Sequence, residues 1–143
     1  MKKGRISWSQ VTTWKMCPYK WKLYYIDKLR TWSGSVYTVY GKALHETLQT
    51  YLDEMYNHSI KKADLLDLPN MLIDRIKFYY AEGVKENEGV HFSTQTELTE
   101  FCIQGARGLE WFKKHRGDYF QKKDWELLGI EVELNSEYKS VNV

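Results

Sequence analysis

The chain is 143 residues long, 43% hydrophobic and 15% aromatic. That is enough to bury one core, too little for two, and too apolar for a disordered chain. Its net charge of +2 hides an asymmetry: residues 1–30 carry eight Lys or Arg against Asp27 alone, a balance of +7, so the other 113 residues carry −5. No apolar run approaches the roughly 18 residues of a membrane span, and Met1-Lys2-Lys3-Gly4-Arg5 leads into Ser and Trp rather than a signal core. No membrane partner and a cytoplasmic location are expected. The two cysteines, Cys17 and Cys102, supply neither a disulfide framework nor a zinc knuckle.

Ser7 with Gln10 makes a capping-box pattern that predicts a first helix ending near Met16. Pro18 disfavours helical geometry at Cys17 and suits the first turn of a new helix, predicted to run to about Asp27. This basic helical corner interleaves lysines with Trp and Tyr. Two readings stand: a surface that attracts phosphates and exposed bases, or a solvated face whose lysine stems cover aromatic core residues. A loop over Thr31–Ser35 follows.

From Tyr37 the apolar positions Tyr40, Leu44, Leu48, Tyr51, Leu52 and Met55 fall at helical spacing, predicting a third helix buried along that stripe. Pro69 predicts the start of a fourth, through Met71, Leu72, Ile76, Tyr79 and Tyr80, ending before Gly83–Gly89. Thr94 with Glu97 caps a fifth, through Leu98, Phe101, Cys102, Leu109 and Phe112 to Gly117. Gly105 and Gly108 inside it weaken a helix, which points to close approach of a neighbouring element or to a local break. Over Trp125–Leu134 the period changes: Ile130, Val132 and Leu134 alternate with Glu131 and Glu133, the pattern of a strand with one acidic face. The fold class is thus α/β but mostly helical, about five helices followed by a first strand, with residues 1–30 a corner, 36–117 the helices and 124–143 the strand region.

His45 follows Gly41 by one helical turn, and helical side chains lean toward the N-terminus. Its imidazole can project over bare backbone, where a metal ion or phosphate would fit. The structural alternative is a histidine satisfied at the core edge beside Leu44 and Leu48. Glu131 and Glu133 share a strand face, either as ligands with His45 or as solvent-facing acids. Histidine with carboxylate suits magnesium or manganese. Two other chemistries fail: His45-Glu46-Thr47-Leu48-Gln49 has Gln49 where a zinc protease needs its second histidine, and no Gly-rich phosphate loop occurs.

Three segments in this order, Ser7-Trp8-Ser9 leading into Cys17-Pro18-Tyr19-Lys20-Trp21-Lys22-Leu23-Tyr24-Tyr25, then Gly41-Lys42-Ala43-Leu44-His45, then the strand through Glu131, resemble the PD-(D/E)XK nuclease superfamily. The resemblance is in particular to its RecB-like branch, which includes CRISPR-associated exonucleases. The resemblance implies a restriction-endonuclease-like core, metal-dependent hydrolysis of DNA phosphodiesters in recombination, repair or replication, and a phage-borne origin. It assigns His45 as a catalytic metal ligand, Glu131 as the strand acid and Glu133 as its register alternative, with magnesium or manganese as cofactor. DNA is the implied partner, with Arg5, Lys15, Tyr19, Lys20 and Lys22 as contacts. The family's later motifs, an aspartate on the next strand and an acid-x-lysine pair after it, find no match: Glu137-Tyr138-Lys139 comes too soon after the first strand. The chain is therefore expected to be the N-terminal part of such a nuclease domain, inactive alone, completed by a C-terminal segment or another chain; the alternative is a noncatalytic DNA- or protein-binding module derived from one. Some members hold an iron–sulfur cluster through a cysteine matching Cys17 and three more near the C-terminus. No such trio exists here, so no cluster is expected and Cys17 is read as structural.

Overall fold

A computed structural model describes residues 6–29, 34–121, 123–130 and 132. The chain divides into two compact units, Met1–Ser33 and Gly34–Val143.

In the first unit, α1 spans Trp8–Met16 and starts where the capping pattern predicts, with the Ser7 hydroxyl accepting from the Gln10 amide at 3.3 Å. Cys17 then leaves helical geometry ahead of Pro18, and its thiol caps α2 (Pro18–Trp21) by accepting from the Lys20 amide at 3.4 Å. Cys17 thus has a structural role. The predicted second helix does not continue as α-helix to Asp27: Lys22–Ile26 form a wider π turn, closed by the Asp27 amide donating to the Lys22 carbonyl at 3.0 Å. The rings of Trp14 and Trp21 meet edge to face at 5.2 Å, and Trp21 lies 6.2 Å from Tyr25. None of these helical segments carries a fully buried residue.

The described secondary-structure elements of the second unit are all helical. Ser35 caps α3 (Val36–Asn57), whose 22 residues are the longest helix described. A short α4 (Ile60–Asp64) follows, capped by Ser59, which accepts from the Lys62 amide at 3.1 Å. Asp67 caps α5 (Leu68–Glu86), with Pro69 in its first turn. Thr94 caps α6 (Gln95–His115), accepting from the Glu97 amide at 3.2 Å, and a 3₁₀ turn over Arg116–Asp118 ends it. Helix α3 packs on α4 and α5, and α5 packs on α6.

The buried seam of α3 agrees with the predicted stripe at Tyr51 and Met55 and differs from it nearer the N-terminus. Val39, Ala43 and Thr47 lie at its centre with Tyr51 and Met55, while Leu44, Leu48 and Leu52 flank the core partly buried, and Tyr37 is 69% exposed. Over Val39–Thr47 small side chains occupy the seam and the larger Leu44 and Leu48 lie at its edges, whereas Tyr51 and Met55 fill it further along. Tyr37 still sets its ring against Phe101 at 5.3 Å, beside Tyr40 at 4.9 Å from the same ring.

Gly105 meets the expectation of close approach: a Cβ there would stand 2.2 Å from Leu72 Cδ2 and 3.0 Å from Tyr40 Cε2. Gly108 does not, since nothing lies within 4 Å of its would-be Cβ, and α6 runs unbroken through both. Gly83 likewise fails to stop α5, which continues to Glu86; the change of direction comes at Gly89, where φ is +85°.

The strand expected over Trp125–Leu134 is not found in its described part, residues 125–130 and Val132, which form no ladder. Leu128 is 89% exposed. Alternating apolar residues become a strand only when a neighbouring strand pairs their backbone and a core covers one face, and the described residues supply neither for this segment. Glu131 and Glu133 lie outside the described residues.

Candidate functional site

His45 sits in the third turn of α3, past the Ser35 cap, and it is exposed. The inward positions of this stretch are Ala43 and Thr47. One turn earlier, Gly41 is exposed, with nothing within 4 Å of where a Cβ would stand.

Next to His45, a polar chain links α3 to α5. The Arg75 guanidinium donates from Nη1 to Thr47 Oγ1 and from Nη2 to Thr50 Oγ1, each at 2.8 Å. Its Nε lies 3.8 Å from Glu46 Oε2, and the other Glu46 oxygen accepts from the Tyr79 hydroxyl. That hydrogen bond to a carboxylate, helped by partial burial, raises the Tyr79 pKa above its ordinary value. Lys42 Nζ lies over the Tyr79 ring, 4.0 Å from its centroid. Sequence reasoning missed this network because its halves lie 25 to 33 residues apart. The available signal was that Arg75 and Tyr79 are one turn apart on one face of α5. Glu46, held in this way, is not placed as the free base of a zinc-protease arrangement.

A second polar cluster ties the other end of α3. Asp64 Oδ1 accepts from the Tyr51 hydroxyl at 2.7 Å and from Arg116 Nη1 at 2.6 Å, and Lys113 donates to the Asp64 carbonyl at 2.7 Å. Burial, then the bond to Asp64, pushes the Tyr51 pKa up to about 12. These groups join α3, α4 and the end of α6 and are structural.

The remaining expected site residues divide between the two units. Lys15, Tyr19, Lys20 and Lys22 are exposed in the first unit. Lys20 lies over the Tyr24 ring at 5.3 Å and Lys22 stands 3.8 Å from Asp27, so part of this charge does cover aromatic surface or pair locally. Arg5 lies outside the described residues. No group of three His, Cys, Asp or Glu side chains able to hold a metal occurs among the described residues. His45 offers one nitrogen donor there, short of the set that a divalent cation needs.

The family model of the PD-(D/E)XK nuclease superfamily matches residues 5–139, which takes in both units, and the chain belongs to that superfamily. No curated protein and no solved structure matches the chain. Membership implies a nuclease-type function and nucleic-acid binding, and PD-(D/E)XK nucleases generally use divalent metals. No helix among the described residues is long and apolar enough to cross a membrane.

Proposed function

We propose that this chain supplies the first part of a metal-dependent DNA nuclease site of the RecB-like kind, with His45 as a metal ligand and Glu131, or Glu133 in the alternative register, as the carboxylate beside it. The observation that carries this reading is an exposed His45 one turn after an open Gly41, within a family match that spans both. A cation bound there would lower the pKa of water and offset charge on the phosphate. The chain's own contribution is to hold the imidazole on a long, capped helix. The exposed Lys15, Tyr19, Lys20 and Lys22 would draw the DNA backbone by counterion release, with neighbouring aromatic rings offered to bases. Magnesium or manganese is the cation this donor chemistry favours.

The second reading, a noncatalytic DNA-binding module, draws on those same exposed lysines and rings, which need no cation. Manganese-dependent cleavage by the full-length protein separates the two. His45→Ala should abolish cleavage while leaving the melting temperature unchanged, because an exposed side chain contributes little to stability. Cleavage equal to the parent would remove His45 from the site; DNA binding with no cleavage under any divalent cation would favour the binding module.

A further inference from the structure

Lys42 and Glu46 are four residues apart on α3 and would ordinarily be read as a helix ion pair. They do not form one. Glu46 is turned to the Tyr79 hydroxyl and toward Arg75, and the Lys42 ammonium lies 4.0 Å from the centroid of the Tyr79 ring. Among the described residues Lys42 has no ion-pair partner. Its charge is therefore not cancelled by direct contact with a carboxylate among the described residues.

The ammonium is also held. An exposed lysine ordinarily samples many rotamers and loses that freedom on binding. Here the ring face supplies an attractive seat, and the ring is itself fixed by Glu46 and, through it, by Arg75, which Thr47 and Thr50 hold. The chain of support begins at Thr47, which is fully buried and donates to the Ala43 carbonyl at 2.8 Å, and ends at a cation in solvent. Lys42 is three residues before His45, so both rise from neighbouring turns of one helix, beside the open backbone of Gly41.

We propose that Lys42 is a DNA-phosphate contact of the His45 patch, its ammonium held ready by the face of Tyr79. The phosphate it takes is one neighbouring the phosphodiester that approaches His45. This rests on the nuclease reading for its occupant, yet it concerns binding and can be tested apart from cleavage. A cation on a ring keeps N–H donors for an oxyanion, whereas a carboxylate-paired lysine would have to give up its partner first.

The test is the salt dependence of DNA affinity in the full-length protein without divalent cation. Lys42→Ala should weaken binding several-fold and reduce the slope of log affinity against log salt by about 1, the loss of one phosphate contact. Lys42→Arg should restore the slope, because it keeps a cation able to sit over the ring. Tyr79→Leu should keep the slope but weaken binding, since charge remains while the seat is gone; its melting curve shows whether the fold is intact. A Lys42→Ala slope equal to the parent overturns the proposal while leaving the role of His45 standing. Loss of slope in Lys42→Ala together with full cleavage by His45→Ala would uphold it and overturn the assignment of His45.

Discussion

Two glycines in one helix should respond in opposite directions to the same substitution. Alanine in a helix interior is favoured over glycine by about 1 kcal/mol. At Gly108, where nothing lies within 4 Å of the new methyl, that preference should appear almost in full. At Gly105 the methyl would stand 2.2 Å from Leu72 Cδ2 and 3.0 Å from Tyr40 Cε2. Ordinary carbon contacts begin near roughly 3.5 Å, so the first of these is more than an ångström too close. Leu72 has no room to retreat, being fully buried in the core with Ala43, Leu68 and Leu109. Overpacking of this kind costs about 1–3 kcal/mol, and set against the helix preference it leaves Gly105→Ala destabilised by up to about 2 kcal/mol. For a chain of this size each kcal/mol moves the melting temperature by about 2–4 °C. Thermal unfolding followed by far-ultraviolet circular dichroism should therefore show Gly108→Ala melting above the parent and Gly105→Ala below it. If Gly105→Ala melts at or above the parent, α6 does not approach Leu72 and Tyr40 as described.

Tyr51 gives a pH-dependent prediction. Its pKa is raised to about 12, so in alkaline solution the unfolded chain loses this proton first; the stabilisation is complete below pH 10 and declines as pH rises through about 12. Urea unfolding at pH 8 and at pH 11 should show a smaller alkaline loss for Tyr51→Phe than for the parent, and equal losses would contradict the shift. Removing the Thr94 hydroxyl with Thr94→Ala should cost about 1 kcal/mol through loss of the bond from the Glu97 amide, measured by the urea midpoint. Lys15→Ala should lower the salt slope of DNA binding by about 1 if it contacts phosphate, whereas Lys22→Ala, next to Asp27, should lower it less; no change in either would leave the solvated-face reading of the corner.

What could be read from the sequence was local. Ser7, Thr94 and Pro18 act within three or four residues through side-chain-to-amide bonds or a fixed ring, so the starts of α1, α2 and α6 were visible in the chain itself. Helix α4 was missed because five residues are too few to display a period. The spacing of Gly41 and His45 was equally local, and both residues are exposed.

Tertiary structure decided which face of each helix is inside. The large residues of α3 suggested a stripe through Leu44 and Leu48, but helix packing put Ala43 and Thr47 at the seam, because two backbones can come close only over small side chains. It also separated Gly105 from Gly108, which one sequence pattern treats alike, since only Gly105 meets another element. Arg75 and Tyr79 joined Glu46 for the same reason: a partner dozens of residues away leaves no mark on the local pattern. The sequence by itself determined where helices begin and which side chains could do chemistry; packing determined which of them are held, and against what.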